Sequence, residues 1–283
     1  MPELPEVQMV VTTLRPALLG KAIRRVNVAR SDVIRPLGID LAGLLQGQRV
    51  TEVARRGKKI VLTIGDRQRF YFHLGMTGRL TIESPGADVQ KHTHVSMDVD
   101  GFQVRFQDPR RFGGIWWLGT DMPVDSELGP EPLSLRPKQL AAMLARTRRV
   151  IKSALLDQSM IAGLGNIYAD EALFAAGIHP LTPANELNLK QVSALNRAIK
   201  TTLRRALRHR GSTLRDYRDA EGNPGDFQRL HRVYDRKGQP CRVCRTPIER
   251  IVIGGRSSHF CPACQRKSGA HIPLARRGGR GKG

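Results

Sequence analysis

The chain has 283 residues, a hydrophobic content of 40%, and Lys+Arg 47 against Asp+Glu 25, a net charge of +22. That length accommodates two domains with cores of their own, and that composition excludes wholesale disorder. No apolar run approaches the ~20 residues of a membrane span and no charged-then-apolar leader precedes the first helix, so no membrane partner is expected and the cytoplasm is the expected location. The charge is uneven, with 20 basic and 6 acidic side chains in residues 201–283. Such a surplus draws phosphates and makes binding salt-dependent, although a solvated basic surface explains charge alone equally well. The preponderance of Arg in this region favours phosphate, which the guanidinium fork matches with two bonds.

The opening "MPELPEV" predicts a helix over Leu4 to Leu19: Pro5 suits the first turn, Glu6 suits the positive end, Val7, Val10, Val11 and Leu14 recur at helical spacing, and Gly20 stops it. Pro2 and Glu3 precede that helix and are not explained by it. Next come short apolar or alternating runs, "KAIRRVNVAR", "KKIVLTI", "RFYFHLGM" and "HVSMDV". In "MDVDGFQVRF", Asp100-Gly101 signals a hairpin. Several such strands with one helix laid across them predict a β-sandwich in an α+β chain. The proline-rich "ELGPEPLSLRPKQ" marks a hinge between domains. Beyond it "KQLAAMLARTRRVIKSALLDQ", "NIYADEALFAAGI" and "LKQVSALNRAIKTTLRRALRHR" are helical in spacing.

All four cysteines form two Cys-x-x-Cys pairs, Cys241/Cys244 and Cys261/Cys264, separated by 16 residues. Two such pairs complete one tetrahedral thiolate site, and the insert reads as a β-hairpin turning at Gly254-Gly255. Disulfides or a redox motif are the competing readings; both lack support in a cytosolic chain without βαβ context. Four thiolates leave no open position, so the expected cofactor is one structural zinc ion, Zn2+. Gly163 and Gly165 allow a tight turn before a helix starting near Asn166, where backbone N–H groups can hold a phosphate. Pro2 becomes the chain end if the initiator Met is removed, and an α-amino group titrates near ~7.7–8.0, far below lysine. A secondary amine can attack a nucleoside sugar carbon to form an iminium, with Glu3 moving sugar protons.

These features together resemble the formamidopyrimidine-DNA glycosylase family. The resemblance runs from Met1 to about Lys267 through "PELPEV", "RRGKK", "HLGMTGRL", "KHTH", "DPRRFG", "GLGNIYADEALFAAGIHP", "VYDRKGQPC" and the cysteine finger, in that order. An endonuclease VIII-like relative typically begins "PEGPE", whereas position 4 here is Leu. The resemblance implies a glycosylase and AP lyase that removes oxidised purines, 8-oxoguanine and formamidopyrimidines, from duplex DNA with β,δ-elimination. The implied division is a β-sandwich catalytic domain over 1–130, a linker and first helix over 131–150, a helix–two-turns–helix domain over 151–238, a finger over 239–266 and a basic tail over 267–283. It implies roles for single residues: Pro2 as nucleophile, Glu3 as acid/base, Lys58 as proton donor in β-elimination with Lys59 facing solvent, and Arg256 gripping phosphate on the finger. Met76, Arg110 and Phe112 would fill the gap left by a flipped nucleotide, and His92, Lys152 and Asn166 would hold backbone phosphates. Taken singly, Met76 and Phe112 read as core residues and Arg110 as half of a surface ion pair.

Damaged duplex DNA is therefore the expected partner of a monomer acting at the bacterial nucleoid, with a non-catalytic DNA-binding protein as the rival from another class. Two departures stand out. Asp235 replaces a usual family glycine, and "RDYRDAEGNPGDFQRLHR" occupies the place of a mobile loop near the damaged base without disclosing which lesion is accepted. The glycine-rich tail is expected to stay flexible and sample phosphates.

Overall fold

The computed structural model describes residues 1–266 apart from positions 121 and 125. The tail therefore lies outside the described residues. Helix α1 (Leu4–Leu18) ends two residues before Gly20, whose φ of +77° is the left-handed stop. Its start is a capping box in which the Glu6 side chain accepts the Glu3 backbone N–H at 2.8 Å. Val7, Val10, Val11 and Leu14 face a core shared with two sheets.

One sheet has four antiparallel strands in the order β1-β7-β8-β6, where β1 is Ile23–Val28, β6 Arg79–Glu83, β7 Thr93–Val99 and β8 Phe102–Gln107. Asp100-Gly101 turns β7 into β8, with Val99 opposite Phe102, as expected. The other sheet has the order β2-β9-β5-β4-β3, with β2 Ile34–Arg35, β3 Val50–Arg56, β4 Lys59–Ile64, β5 Gln68–His73 and β9 Gly114–Gly119. A short helix α2 (Leu41–Leu45) joins β2 to β3. Strands β3, β6 and β9 were not among the expected runs. β3 carries the polar stretch "TEVARR", and β9 begins on the second residue of a glycine pair that suggests a loop.

The stretch expected as a hinge is tied to the sandwich lobe through Glu131. Glu131 accepts from Arg55 at 2.6 Å, from Arg56 at 3.1 Å and from the Gly57 backbone at 2.7 Å. Beyond it the long helical run splits into α3 (Pro137–Leu144) and α4 (Ile151–Leu156), followed by α5 (Asn166–Ala176) and α6 (Leu189–Arg208). These helices share a second core that includes Leu4, while Val7 onward belongs to the first. The chain's first helix thus sits at the seam of both lobes, packed on β3, β4 and α6. The finger is the hairpin β10 (Glu249–Ile253) and β11 (Arg256–Phe260), turning at Gly254-Gly255 as expected. Among the described residues no helix is long and apolar enough to cross a membrane.

Candidate active site

The N-terminal residues are drawn into the seam by the start of α5. The Leu4 N–H donates to Gly163 O at 3.0 Å, and the buried Glu3 carboxylate accepts the Ile167 and Tyr168 backbone N–H groups at 2.9 and 3.4 Å. The α5 amides thus hold a side-chain carboxylate from the same chain, where the sequence suggested a phosphate. Gly165 makes this approach feasible, because a Cβ there would overlap the Glu3 carboxyl group. Burial raises the Glu3 pKa, against opposing pulls from Lys58 and the α5 amides. The same burial lowers the chain-end amine, carried here by Met1 ahead of Pro2, and keeps more of it unprotonated.

Glu6 is equally buried. It accepts the Tyr168 hydroxyl at 2.5 Å and the Ser212 N–H at 2.7 Å. Burial, reinforced by Glu3, pushes its pKa up to about 7. From sequence, Glu6 reads only as a charge suited to the positive end of the helix. Positions 6, 10 and 14 lie four apart, which puts this carboxylate in the apolar stripe of α1 and marks it for burial.

Lys58 follows the β3–β4 turn, where Gly57 has φ +56°. Its burial lowers the pKa, opposed by Glu3 and Glu6 and aided by Arg256. The chain-end amine and Lys58 each lie within electrostatic reach of Glu3, Glu6 and Arg256. Lys59 departs from expectation. It is half-buried, donates to Val124 O at 2.8 Å and sits 4.4 Å over the Tyr71 ring. His73, on β5 directly opposite Lys59, was not singled out from sequence. Burial, with Lys58 and Lys59 beside it, lowers its pKa, and its Nδ1 accepts the Gly75 N–H at 3.2 Å.

A cleft of ≈ 470 Å³ opens in front of Pro2 and Glu6, with Met76, Arg110, Tyr217 and Asp235 on its walls. Met76 and Phe112 are 45% and 56% exposed, so neither is a core residue. Arg110 stacks 4.4 Å over the Phe112 ring and places its guanidinium 3.6 Å from the Met76 sulfur. Buried Asp108 ties the two loops together by accepting the Thr77 hydroxyl at 2.5 Å and the Gly113 N–H at 2.7 Å. His92 is exposed with φ +66°. Asp235, at φ +57°, occupies a left-handed position that favours glycine, which accounts for the family's usual residue there. The loop after α6 is anchored: the Tyr217 hydroxyl donates to Glu6 O at 3.1 Å and the Ile82 N–H to Ala220 O at 2.9 Å.

Lys152 is the clearest departure. It is fully buried, paired with Asp170 at 2.6 Å and donating to Asn166 O at 2.9 Å, so no part of it is open to a phosphate. The apolar neighbours Ile151, Ala154 and Leu155 carry it into the core, and Asp170 offsets the cost of burying the charge. Asp170 also accepts the Ser258 hydroxyl at 2.9 Å and the His259 N–H at 2.8 Å, joining α4 and α5 to the finger. Asn166 reaches Ser257 on the finger at 3.4 Å, and Arg256 is exposed at the head of β11.

The sulfurs of Cys241, Cys244, Cys261 and Cys264 lie within 4.8 Å of one another, with contacts of 3.4, 3.5 and 3.9 Å. A tetrahedron of Zn–S bonds near ~2.3 Å has edges of about 3.8 Å, whereas a disulfide needs ~2.05 Å. The donors fit one structural zinc ion, and four thiolates leave it no open position.

A β-sandwich lobe, a helical lobe and a four-cysteine finger are thus gathered around a buried N-terminal carboxylate. Residues 1–115 match the formamidopyrimidine-DNA glycosylase N-terminal domain, 128–218 its H2TH domain, and 238–266 a zinc finger found in FPG and IleRS. A formamidopyrimidine-DNA glycosylase of Chloroflexus aggregans is 44% identical over 273 residues, covering 94% of this chain and 98% of its own. A mutant Lactococcus lactis FPG bound to Fapy-dG-containing DNA superposes with a TM-score of 0.89 at 33% identity, covering 94% of this chain and 100% of its own. The Lactococcus lactis Fpg bound to DNA with an abasic site gives 0.88 at 34% identity, with the same coverage. The chain belongs to the formamidopyrimidine-DNA glycosylase family.

Proposed function

We propose that this enzyme excises oxidised purines, 8-oxoguanine and formamidopyrimidines, and then cleaves the resulting abasic strand through an N-terminal Schiff base. The observation that carries the reading is the buried Glu3 carboxylate, fixed by two α5 amides immediately beside the position of the chain-end amine. With Met1 removed, Pro2 presents a secondary amine to the cleft. Its nitrogen attacks C1′ of the flipped nucleotide, the C1′–base bond breaks with its electrons leaving on the base, and the proton that the amine sheds goes to the departing base. Glu3, whose burial favours the protonated form, gives its proton to the ring oxygen as the sugar opens to the iminium.

The positive nitrogen then acidifies the C2′ proton. The Glu3 carboxylate takes that proton as the 3′ phosphate leaves in β-elimination, with Lys58 supplying a proton to the departing phosphate oxygen. A second elimination expels the 5′ phosphate held by Arg256, and water releases Pro2. Flipping is required because C1′ is shielded in the stack, and Met76, Arg110 and Phe112 fill the space vacated. His92 and Asn166 hold backbone phosphates, while Lys152 acts from the interior by fixing Asp170 and the start of α5. The DNA-bound relatives with Fapy-dG and an abasic site support both stages of this reading.

The testing experiment incubates the zinc-loaded chain with a duplex carrying one 8-oxoguanine and analyses base and strand products by mass. Free 8-oxoguanine and a one-nucleotide gap flanked by two phosphates are expected. Base release with an intact strand would remove the lyase half of the proposal. Glu3→Gln should keep duplex affinity and lose most excision.

A further inference from the structure

Helix α6 presents a charged face that the cleft leaves unused. Its 20 residues include no Asp or Glu. At ~100° per residue, Lys190, Arg197, Arg204 and Arg208 fall within a sector of roughly 40°. The buried side chains Leu195, Ile199, Leu203 and Ala206 centre on the opposite side, where α6 packs on α1, α3 and α5. All four cations are exposed, and among the described residues none is engaged in an ion pair. None lines the cleft. Because α1 and α5 carry Glu3 and its amide donors, the body of α6 separates this stripe from the catalytic seam.

We infer that the stripe binds a second segment of duplex DNA through phosphates alone, while the cleft holds the damaged one. From Lys190 to Arg208 the helix rises ~27 Å, about the length of eight base pairs, so one straight helix can lie along a duplex and reach phosphates with long, flexible side chains. No aromatic or amide side chain interrupts the stripe, so positive charge is its one shared feature, and charge recognises the phosphate backbone, which is the same in every sequence. An acidic ligand with few charges gains little from cations spread over this distance, whereas a duplex presents phosphates along all of it. One molecule can then bridge two DNA segments and pass between them. This inference rests on the reading that the cleft binds DNA.

The test uses full-length zinc-loaded protein with its cleft filled by one equivalent of a short abasic-analogue duplex, and titrates a labelled undamaged duplex at low salt. The wild type should take up the second duplex. Each phosphate contact adds about −0.9 to the slope of log affinity against log salt, so Arg197→Gln/Arg204→Gln/Arg208→Gln should flatten that slope by up to about 2.7. Single-turnover excision in a short lesion duplex should be equal in the two proteins, with equal zinc content and helicity confirming the fold. Failure of the wild type to bind a second duplex, or equal binding by the triple variant, overturns the inference. Loss of excision in the variant also overturns it, by placing the stripe in the catalytic interface. Absence of excision by the wild type itself would instead count against the proposed function.

Discussion

The Glu3 carboxylate accepts the Ile167 backbone N–H at 2.9 Å across a sequence separation of 164. One end of the sandwich lobe's first helix is thereby fixed by the start of a helix in the other lobe, and the acid beside the chain-end amine owes its position to both. Gly165→Ala tests this dependence, because the added Cβ would occupy the space of the Glu3 carboxyl. A displacement near 1 Å in a reacting group costs about 100-fold in rate, so single-turnover excision should fall by roughly that factor with the fold retained. Normal excision would show that Glu3 needs no such placement.

Arg110, Met76 and Phe112 make a compact exposed cluster. Filling the gap left by a flipped base offsets an unstacking cost of a few kcal/mol. Arg110→Ala should therefore slow excision of a paired 8-oxoguanine more than cleavage at an existing abasic site. Equal losses on the two substrates would make Arg110 a general phosphate contact.

Glu6 gives the protein a pH signature. Its pKa is raised from 4.5 to about 7, so its contribution to stability is fully present below about pH 4.5 and is lost as pH rises through 7. At ~1.36 kcal/mol per unit, the change across that window is of order 3 kcal/mol. Glu6→Gln cannot ionise. Denaturant unfolding from pH 4.5 to 8 should show the wild type losing stability relative to this variant as pH rises. A constant difference would mean that Glu6 titrates normally.

Removing Glu131 leaves the guanidinium of Arg55, whose side chain is 9% exposed, without its carboxylate. Breaking such a pair costs roughly 3 kcal/mol. Glu131→Ala should lower the unfolding midpoint and, because Gly57 loses its acceptor one residue before Lys58, slow strand cleavage as well. Lost stability with unchanged cleavage would confine Glu131 to the joint.

Cys244→Ser should release zinc and free the hairpin, since the metal supplies folding energy the small finger lacks. Metal analysis and duplex binding should fall together. A zinc-free protein that binds lesion DNA with unchanged affinity would contradict a structural finger.

Local patterns carried the elements with a period or a punctuated turn: α1, the β7–β8 hairpin at Asp100-Gly101, α5 after Gly165, and the finger around Gly254-Gly255. Strands β3 and β9 escaped because their exposed or aromatic residues are stabilised by neighbours across the sheet, which no local window contains. The same limit governs the site. The four cysteines are legible as spacing, and Pro2 and Glu3 as residues the first helix does not require. Lys152 was misread because its partner Asp170 lies 18 positions away and its burial depends on the packing of α4 against α5. His73 and Glu131 gain meaning only once β5 and the interlobe joint place them beside the lysines and arginines of "RRGKK".

The proposed nucleophile is the chain end rather than a lysine. Borohydride reduction during turnover of an 8-oxoguanine duplex converts the iminium into a stable C1′–N bond, after which the cross-linked peptide can be mapped. An adduct on the nitrogen of Pro2 is expected in a peptide lacking Met1, with loss of both adduct and excision when Met1 is retained. An adduct on Lys58 or another lysine, or full excision by a chain that keeps Met1, would contradict attack by the chain end.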